Sequence, residues 1–191
     1  MSKRRRILII GDSISMGYAP RVAEVLAGTA EVVHNPGNAG DTDHTAAEVG
    51  GWLADARPDV VHFNCGLHDI KVSRETHVNQ VPLPRYRTNL EAIVAALAAS
   101  KAALIWATTT PVVESRHTAM KEFDRYNRDV DAYNAAAVGI VAPAVQAVND
   151  LHAVAVARGS ETLIDADGVH FTDAGYRILA DVVAERLMGL L

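Results

Sequence analysis

The sequence predicts an α/β fold built on a parallel sheet, and two observations support this. Short apolar runs, such as residues 7–10, lack the alternation of a half-exposed strand, which is typical of strands buried on both faces of a sheet. Stretches of helical periodicity, such as residues 88–100, separate these runs. Strands that alternate with helices form right-handed βαβ units, which place helices on both faces of the sheet.

Turn and capping residues divide the chain into individual elements. Five strands are expected, over residues 7–10, 31–34, 59–64, 103–107 and 145–148. Thr172 and Asp173 can cap a C-terminal helix. The other expected helices cover residues 16–27, 45–54, 88–100, 121–141 and 151–157. Residues 71–87 are polar and contain Pro82 and Pro84, so they predict a long loop of the kind that often covers a binding site.

The length indicates one domain over residues 1–191. Because 49% of the residues are apolar, a soluble globular chain is expected. The net charge of −5 argues against a nucleic-acid partner, and the basic run at residues 3–6 is interpreted as a solvated terminus. No apolar segment is long enough for a signal peptide or a membrane span. The single cysteine, Cys65, excludes an internal disulfide. We therefore expect a cytoplasmic protein with no membrane partner.

Polar blocks follow the first three predicted strands, and each contains a candidate for chemistry. Ser13 follows the first strand, Gly40 lies in the loop after the second, and His68 follows the third. In a parallel sheet, ligand sites form outside the carboxyl ends of the strands. These blocks are therefore predicted to meet at one edge of the sheet.

Asp167 and His170 form an acid–base pair on a loop before the C-terminal helix. A carboxylate that folds back onto an imidazole fixes its tautomer and stabilises its protonated form. A serine hydroxyl becomes a strong nucleophile when such a base removes its proton, and Ser13 is the candidate. The alternatives are a surface histidine in a pre-helix turn and a serine that only caps the following helix.

An oxyanion formed by attack on an ester needs hydrogen-bond donors fixed in advance. Gly40 can offer its N–H in a backbone conformation closed to other residues, although a role in making the turn alone is also open for it. His68 can donate from a ring nitrogen, but a structural role or a metal-ligand role is also open for it.

These blocks resemble those of the SGNH (GDSL) hydrolase superfamily over nearly the whole chain. The first block reads Gly11-Asp12-Ser13-Ile14, and the second runs from Asn35 through Gly40-Asp41-Thr42. The last reads Asp167-Gly168-Val169-His170. The third block reads Gly66-Leu67-His68-Asp69, where the superfamily has Gly-x-Asn-Asp.

The resemblance implies a flavodoxin-like α/β/α sandwich with five parallel strands. It implies Ser13 as nucleophile and backbone oxyanion donor, and Asp167 and His170 as the rest of a triad. Gly40 becomes the second oxyanion donor, and the side-chain donor normally supplied by Asn falls to His68. No metal or organic cofactor is expected.

The predicted function is a serine ester hydrolase acting on a small-molecule or carbohydrate ester. The candidate rim segments, residues 71–87 and 112–120, are polar, which favours a short acyl group such as acetate on a polar alcohol. Alternatives are a lipid-type esterase or lysophospholipase, a thioesterase, a non-catalytic carbohydrate-binding relative, and acyl transfer to an alcohol.

Overall fold

A parallel five-stranded sheet forms the centre of the protein in the computed structural model, which describes residues 4–191. Lys3 of the basic run lies outside the described residues. The strand order is β2-β1-β3-β5-β7, and every neighbouring pair is parallel. An antiparallel pair, β4 and β6, lies apart from this sheet. The strands are β1 (Arg5–Ile10), β2 (Ala30–His34), β3 (Val60–Phe63), β4 (Val72–Ser73), β5 (Ala103–Ala107), β6 (Phe123–Asp124) and β7 (Ala147–Asn149).

Helices cover both faces of the sheet, as the alternation of elements predicts. One layer contains α1, α6 and α8, which contact one another through α8, and the other contains α2, α3 and α5, which meet through α3. The helices are α1 (Ser13–Leu26), α2 (Thr42–Ala56), α3 (Leu83–Ala99), α4 (Glu114–Met120), α5 (Asn127–Val141), α6 (Leu151–Ala157), α7 (Ser160–Leu163) and α8 (Asp173–Met188). None of the helices in residues 4–191 has the length and apolar character required to cross a bilayer.

The central strands supply the core, which explains their unbroken apolar runs. In β1, the side chains of residues 7–10 are at most 1% exposed, and β3 is buried along its whole length. The fold class predicted from the sequence, with its five parallel strands, is therefore confirmed.

Two sequence-based predictions were wrong, and both concern segments that contribute to the β4–β6 pair outside the five-stranded sheet. Residues 71–87 are not one long loop, because they include β4 and the first turns of α3. Residues 121–141 are not one helix, because α5 begins only at Asn127. The segment before it pairs with β4, with Val72 opposite Asp124 and Ser73 opposite Phe123. This pairing joins segments far apart in sequence, so no local periodicity indicates it.

The packing of α1 against α8 brings the two ends of the chain together. Gly17 of α1 faces Tyr176 of α8 so closely that a Cβ at Gly17 would lie 2.2 Å from the tyrosine ring. Arg21 of α1 also forms an ion pair with Asp173, the first residue of α8. The loop that precedes α8 is thereby held beside the N-terminus of α1.

Candidate active site

Ser13 is the first residue of α1, directly after β1 and a two-residue turn. The helix is capped by Asp12, which is 4% exposed and whose Oδ1 accepts the N–H of Ile14 at 2.9 Å. Ser13 is therefore not the capping residue, and its hydroxyl is available for other contacts. Its N–H lies in the first helical turn, where no intrahelical acceptor exists and the helix dipole is positive.

His170 connects Ser13 to Asp167 through its two ring nitrogens. Its Nε2 lies 2.8 Å from Oγ of Ser13, a residue 157 positions away in the sequence. Its Nδ1 lies 2.6 Å from Oδ2 of Asp167. In the neutral ring, Nδ1–H donates to the carboxylate and Nε2 accepts from the serine hydroxyl. The structure thus brings together a hydroxyl, an imidazole and a carboxylate in a continuous hydrogen-bonded line.

Asp167 is held in place by several donors. Its Oδ1 accepts the N–H groups of Val169 at 3.1 Å and His170 at 2.9 Å, and its Oδ2 accepts from Lys121 Nζ at 3.0 Å. Burial alone raises the pKa of Asp167, but these hydrogen bonds and the one from the His170 ring outweigh it. The pKa therefore lies well below its usual range, and the carboxylate is ionised at neutral pH.

Gly168 allows the loop to fit beneath α4. Its φ is +74°, in the left-handed region that favours glycine. A Cβ there would lie 2.4 Å from the backbone nitrogen of His117 and 2.6 Å from the carbonyl oxygen of Val113. The Val113 N–H also donates to the Gly168 carbonyl at 2.8 Å. Gly168, which follows Asp167 in this loop, is therefore constrained by the backbone of Val113 and His117.

His68 lines the same cavity as Ser13 and His170, and its tautomer is fixed by Lys71. The Lys71 ammonium lies 3.0 Å from Nδ1 of His68. Because an ammonium can only donate, Nδ1 must accept, and the ring proton lies on Nε2. Burial lowers the pKa of His68 to about 4, with Asp12 opposing and the charges of Lys71 and Arg125 reinforcing the effect. His68 is therefore a neutral ring at neutral pH, with one N–H to donate.

Gly40 has the positive φ expected of it, +65°, but its N–H is already engaged. It donates to Oδ1 of Asn38 at 2.8 Å, and Asn38, not Gly40, lines the cavity beside Ser13. The role of Gly40 as an oxyanion donor stays a prediction. Asn38 was not singled out from the sequence, and the NH2 of its side-chain amide is a further donor at this position.

The cavity beside Ser13 has a volume of about 330 Å³. Of the polar rim segments expected from the sequence, only Lys71 contributes a side chain to it. Arg74 binds Asp124, Arg116 binds Glu161, and His117 is buried. Sequence reasoning missed three further lining residues, Lys121, Phe123 and Arg125, because residues 121–141 are predicted as one helix.

Metal binding is one of the roles left open for His68, but the described part of the chain contains no cluster of ligand side chains to support it. No group of three or more His, Cys, Asp or Glu side chains there could hold a metal ion. The Lys71 ammonium, which is hydrogen-bonded to Nδ1 of His68, also repels a metal cation that approaches the ring.

The family of the chain follows from its sequence profile. The profile described as the GDSL-like lipase/acylhydrolase family matches residues 9–178. The chain belongs to this family. As a GDSL-like acylhydrolase it is a carboxylic ester hydrolase. No curated protein sequence is significantly similar to it.

Solved structures resemble the GDSL-like chain over almost its whole length. A lipase/acylhydrolase from Enterococcus faecalis is 21% identical, with a TM-score of 0.83 and coverage of 98% of this chain and 97% of that one. A GDSL-like lipase from Bacteroides thetaiotaomicron is 16% identical, with a TM-score of 0.79 and coverage of 98% and 89%. An acetylxylan esterase from Geobacillus stearothermophilus is 21% identical, with a TM-score of 0.77 and coverage of 96% and 94%. At these identities the similarity establishes the fold.

Replacing Gly168 with Ala is expected to destabilise the protein by more than about 2 kcal/mol, because the left-handed backbone and the contacts with Val113 and His117 both penalise a Cβ. Chemical denaturation measures the change. The matched control is Gly28→Ala, since a Cβ at Gly28 has nothing within 4 Å and its stability should change by at most about 0.5 kcal/mol. Equal stability of the two variants would contradict the argument.

Proposed function

We propose that the protein hydrolyses esters through a covalent intermediate on Ser13. The observation that carries this proposal is the line from the Ser13 hydroxyl to His170 Nε2 at 2.8 Å and from His170 Nδ1 to Asp167 at 2.6 Å. As Ser13 Oγ bonds to the acyl carbon, its proton passes to Nε2 of His170. The protonated ring then gives this proton to the leaving alcohol. Water attacks the acyl-enzyme in the second half, with His170 again as base, and releases the acid and free Ser13.

Asp167 acts through His170 and does not touch the substrate. The depressed pKa of Asp167 keeps it anionic while the neighbouring imidazole is protonated, so the charge that develops on the ring has a fixed counter-charge. The bonds from Val169 and Lys121 hold the carboxylate in that position throughout the cycle.

The oxyanion is proposed to bind the N–H of Ser13, the N–H of Gly40 and Nε2–H of His68. The dipole of α1 supports the first donor. For Gly40 to donate, its N–H must exchange the Asn38 oxygen for the substrate oxygen. The hydrogen bond from Lys71 supports His68, because it leaves the proton on the nitrogen that does not face the lysine.

The proposed substrate has a short acyl group, such as acetate, on a polar or carbohydrate alcohol. The acetylxylan esterase similarity and the charged cavity wall support this choice over a long lipid chain. An apolar tail in this cavity would remove water from Lys71, Lys121 and Arg125 without replacing its hydrogen bonds, which is costly. The cytoplasmic location expected from the sequence stays a prediction.

Replacing Ser13 with Ala should lower kcat for p-nitrophenyl acetate at least about 1000-fold, because the nucleophile is lost. Ser115→Ala is the matched control, since Ser115 is exposed on α4 outside the cavity. A fluorophosphonate probe should label the wild type and the control but not the Ser13 variant. Full activity without Ser13 would refute the mechanism, and a wild type that neither turns over esters nor reacts with the probe would indicate a non-catalytic binding protein.

With p-nitrophenyl esters from acetyl to decanoyl, kcat/KM should fall as the acyl chain lengthens, because a cavity of about 330 Å³ with three cationic side chains on its wall disfavours an apolar tail. The measurement is initial rate at several substrate concentrations for each ester. A steady rise in kcat/KM toward decanoyl would instead favour a lipid-type esterase.

His68→Ala is expected to lower kcat for p-nitrophenyl acetate about 100-fold, the typical cost of losing one oxyanion donor. His68→Asn should keep kcat within about tenfold of the wild type, because an amide also donates an N–H. His152, on α6 outside the cavity lining, provides the control His152→Ala. A His68→Ala enzyme with wild-type kcat would show that the ring holds no oxyanion.

A further inference from the structure

The cavity beside Ser13 carries an excess of positive charge in a chain whose net charge is −5. Among the described residues, its lining includes the cations Lys71, Lys121 and Arg125 but only one carboxylate, Asp12. Lys121 is neutralised by Asp167 at 3.0 Å. Lys71 and Arg125 therefore determine the charge that a substrate meets at this wall.

Arg125 is a buried cation that forms no ion pair within residues 4–191. It is 5% exposed, and its Nε donates to the carbonyl of Leu67 at 2.6 Å while its Nη1 donates to Nε2 of His117 at 2.9 Å. Both acceptors are neutral, and Nη2 makes no hydrogen bond within residues 4–191. Burial lowers the pKa of Arg125 to about 10, opposed by Asp12 and Asp167, so the guanidinium stays charged at neutral pH. A buried charge left without a counter-ion is costly, which calls for a compensating anion.

Lys71 lies on the same wall, and among the residues that the structure describes it too has no carboxylate partner. It is half-buried and uses one of its three N–H donors on His68. The ring of Phe123 contacts both cations, with its centroid 5.3 Å from Lys71 Nζ and 5.0 Å from the guanidinium carbon of Arg125. The charges of Asp41, Asp12 and Asp69 act on Lys71, but none of these carboxylates forms an ion pair with it in the described part of the chain.

The single acid of the lining does not offset these charges by direct contact. Asp12 is 4% exposed and its Oδ1 is committed to the N–H of Ile14 at the start of α1. A cleft lined by one sign of charge with low-dielectric walls concentrates ligands of the opposite sign. The open donors of Lys71 and Arg125 are therefore free for an anion that enters beside Ser13.

We propose that the ester substrate carries an anionic group, a carboxylate or a phosphate, that binds Arg125 and Lys71 while the ester reaches Ser13. This inference rests on the proposed function and names the class of ester within it. Guanidinium and ammonium groups bind both anions through charge-assisted hydrogen bonds, so the geometry specifies the shared chemistry.

The test compares anionic esters with neutral esters of similar size. On the alcohol side, p-acetoxybenzoate and p-acetoxyphenyl phosphate are compared with methyl p-acetoxybenzoate. On the acyl side, mono-p-nitrophenyl glutarate is compared with p-nitrophenyl pentanoate. In the wild type, kcat/KM of at least one anionic ester should exceed that of its neutral partner about tenfold or more, as one charged hydrogen bond provides. The arm that responds identifies the anion and the side of the ester that carries it.

The preference for the anionic ester should be lost in Arg125→Gln and partly kept in Arg125→Lys, which retains the charge. The ratio of the two esters within one variant cancels general damage to the enzyme. Arg128→Gln is the control, because the Arg128 side chain is 75% exposed on α5, and it should keep the wild-type ratio. If both Arg125 variants fail to fold, the dependence of kcat/KM on salt concentration in the wild type remains as a test. From about 0.05 to 0.5 M NaCl, kcat/KM should fall for the preferred anionic ester and not for the neutral one.

No preference in either arm would overturn the inference, and so would a preference that survives in Arg125→Gln and Lys71→Met. Neither result affects the proposed ester hydrolysis, because that depends on the loss of neutral-ester turnover in Ser13→Ala. Activity retained by the Ser13 variant would remove the proposed mechanism and this inference together.

Discussion

The packing of α1 against α8 is the contact on which the site depends. The first residue of α1 carries the hydroxyl, and the loop before α8 carries the imidazole and its carboxylate. Gly17 permits the approach, since any larger residue would overlap the ring of Tyr176. A distance of 2.8 Å between residues 157 positions apart thus follows from how two helices on one face of the sheet fit together.

Much of this arrangement could be predicted from residue order, because a parallel sheet gathers its carboxyl ends at one edge. The apolar runs located the central strands, and the block around Asp167 and His170 identified the loop. The capping residues Thr172 and Asp173 indicated where α8 begins. These predictions rest on residues close together in sequence, so they did not require knowledge of the tertiary contacts.

The wall of the cavity could not be predicted in the same way. Phe123 and Arg125 lie in a segment whose composition suits a helix, and it is held extended by pairing with Val72 and Ser73. The burial of Arg125 follows from neighbours at Leu67 and His117 that come from two other parts of the chain. Residues 71–87 are likewise polar in sequence and are interpreted as the rim of the site. The tertiary structure uses one of them elsewhere, because the ion pair with Asp124 holds Arg74 at the β4–β6 pair.

Because position 68 is a histidine, its hydrogen bonding depends on Lys71. An amide carries its two N–H donors by covalent structure, whereas an imidazole has one proton that can sit on either nitrogen. Lys71, three positions later, removes this freedom by donating to Nδ1. The position of the ring proton of His68 therefore depends on the side chain at position 71. Without a donor there, that proton would be free to move between the two ring nitrogens.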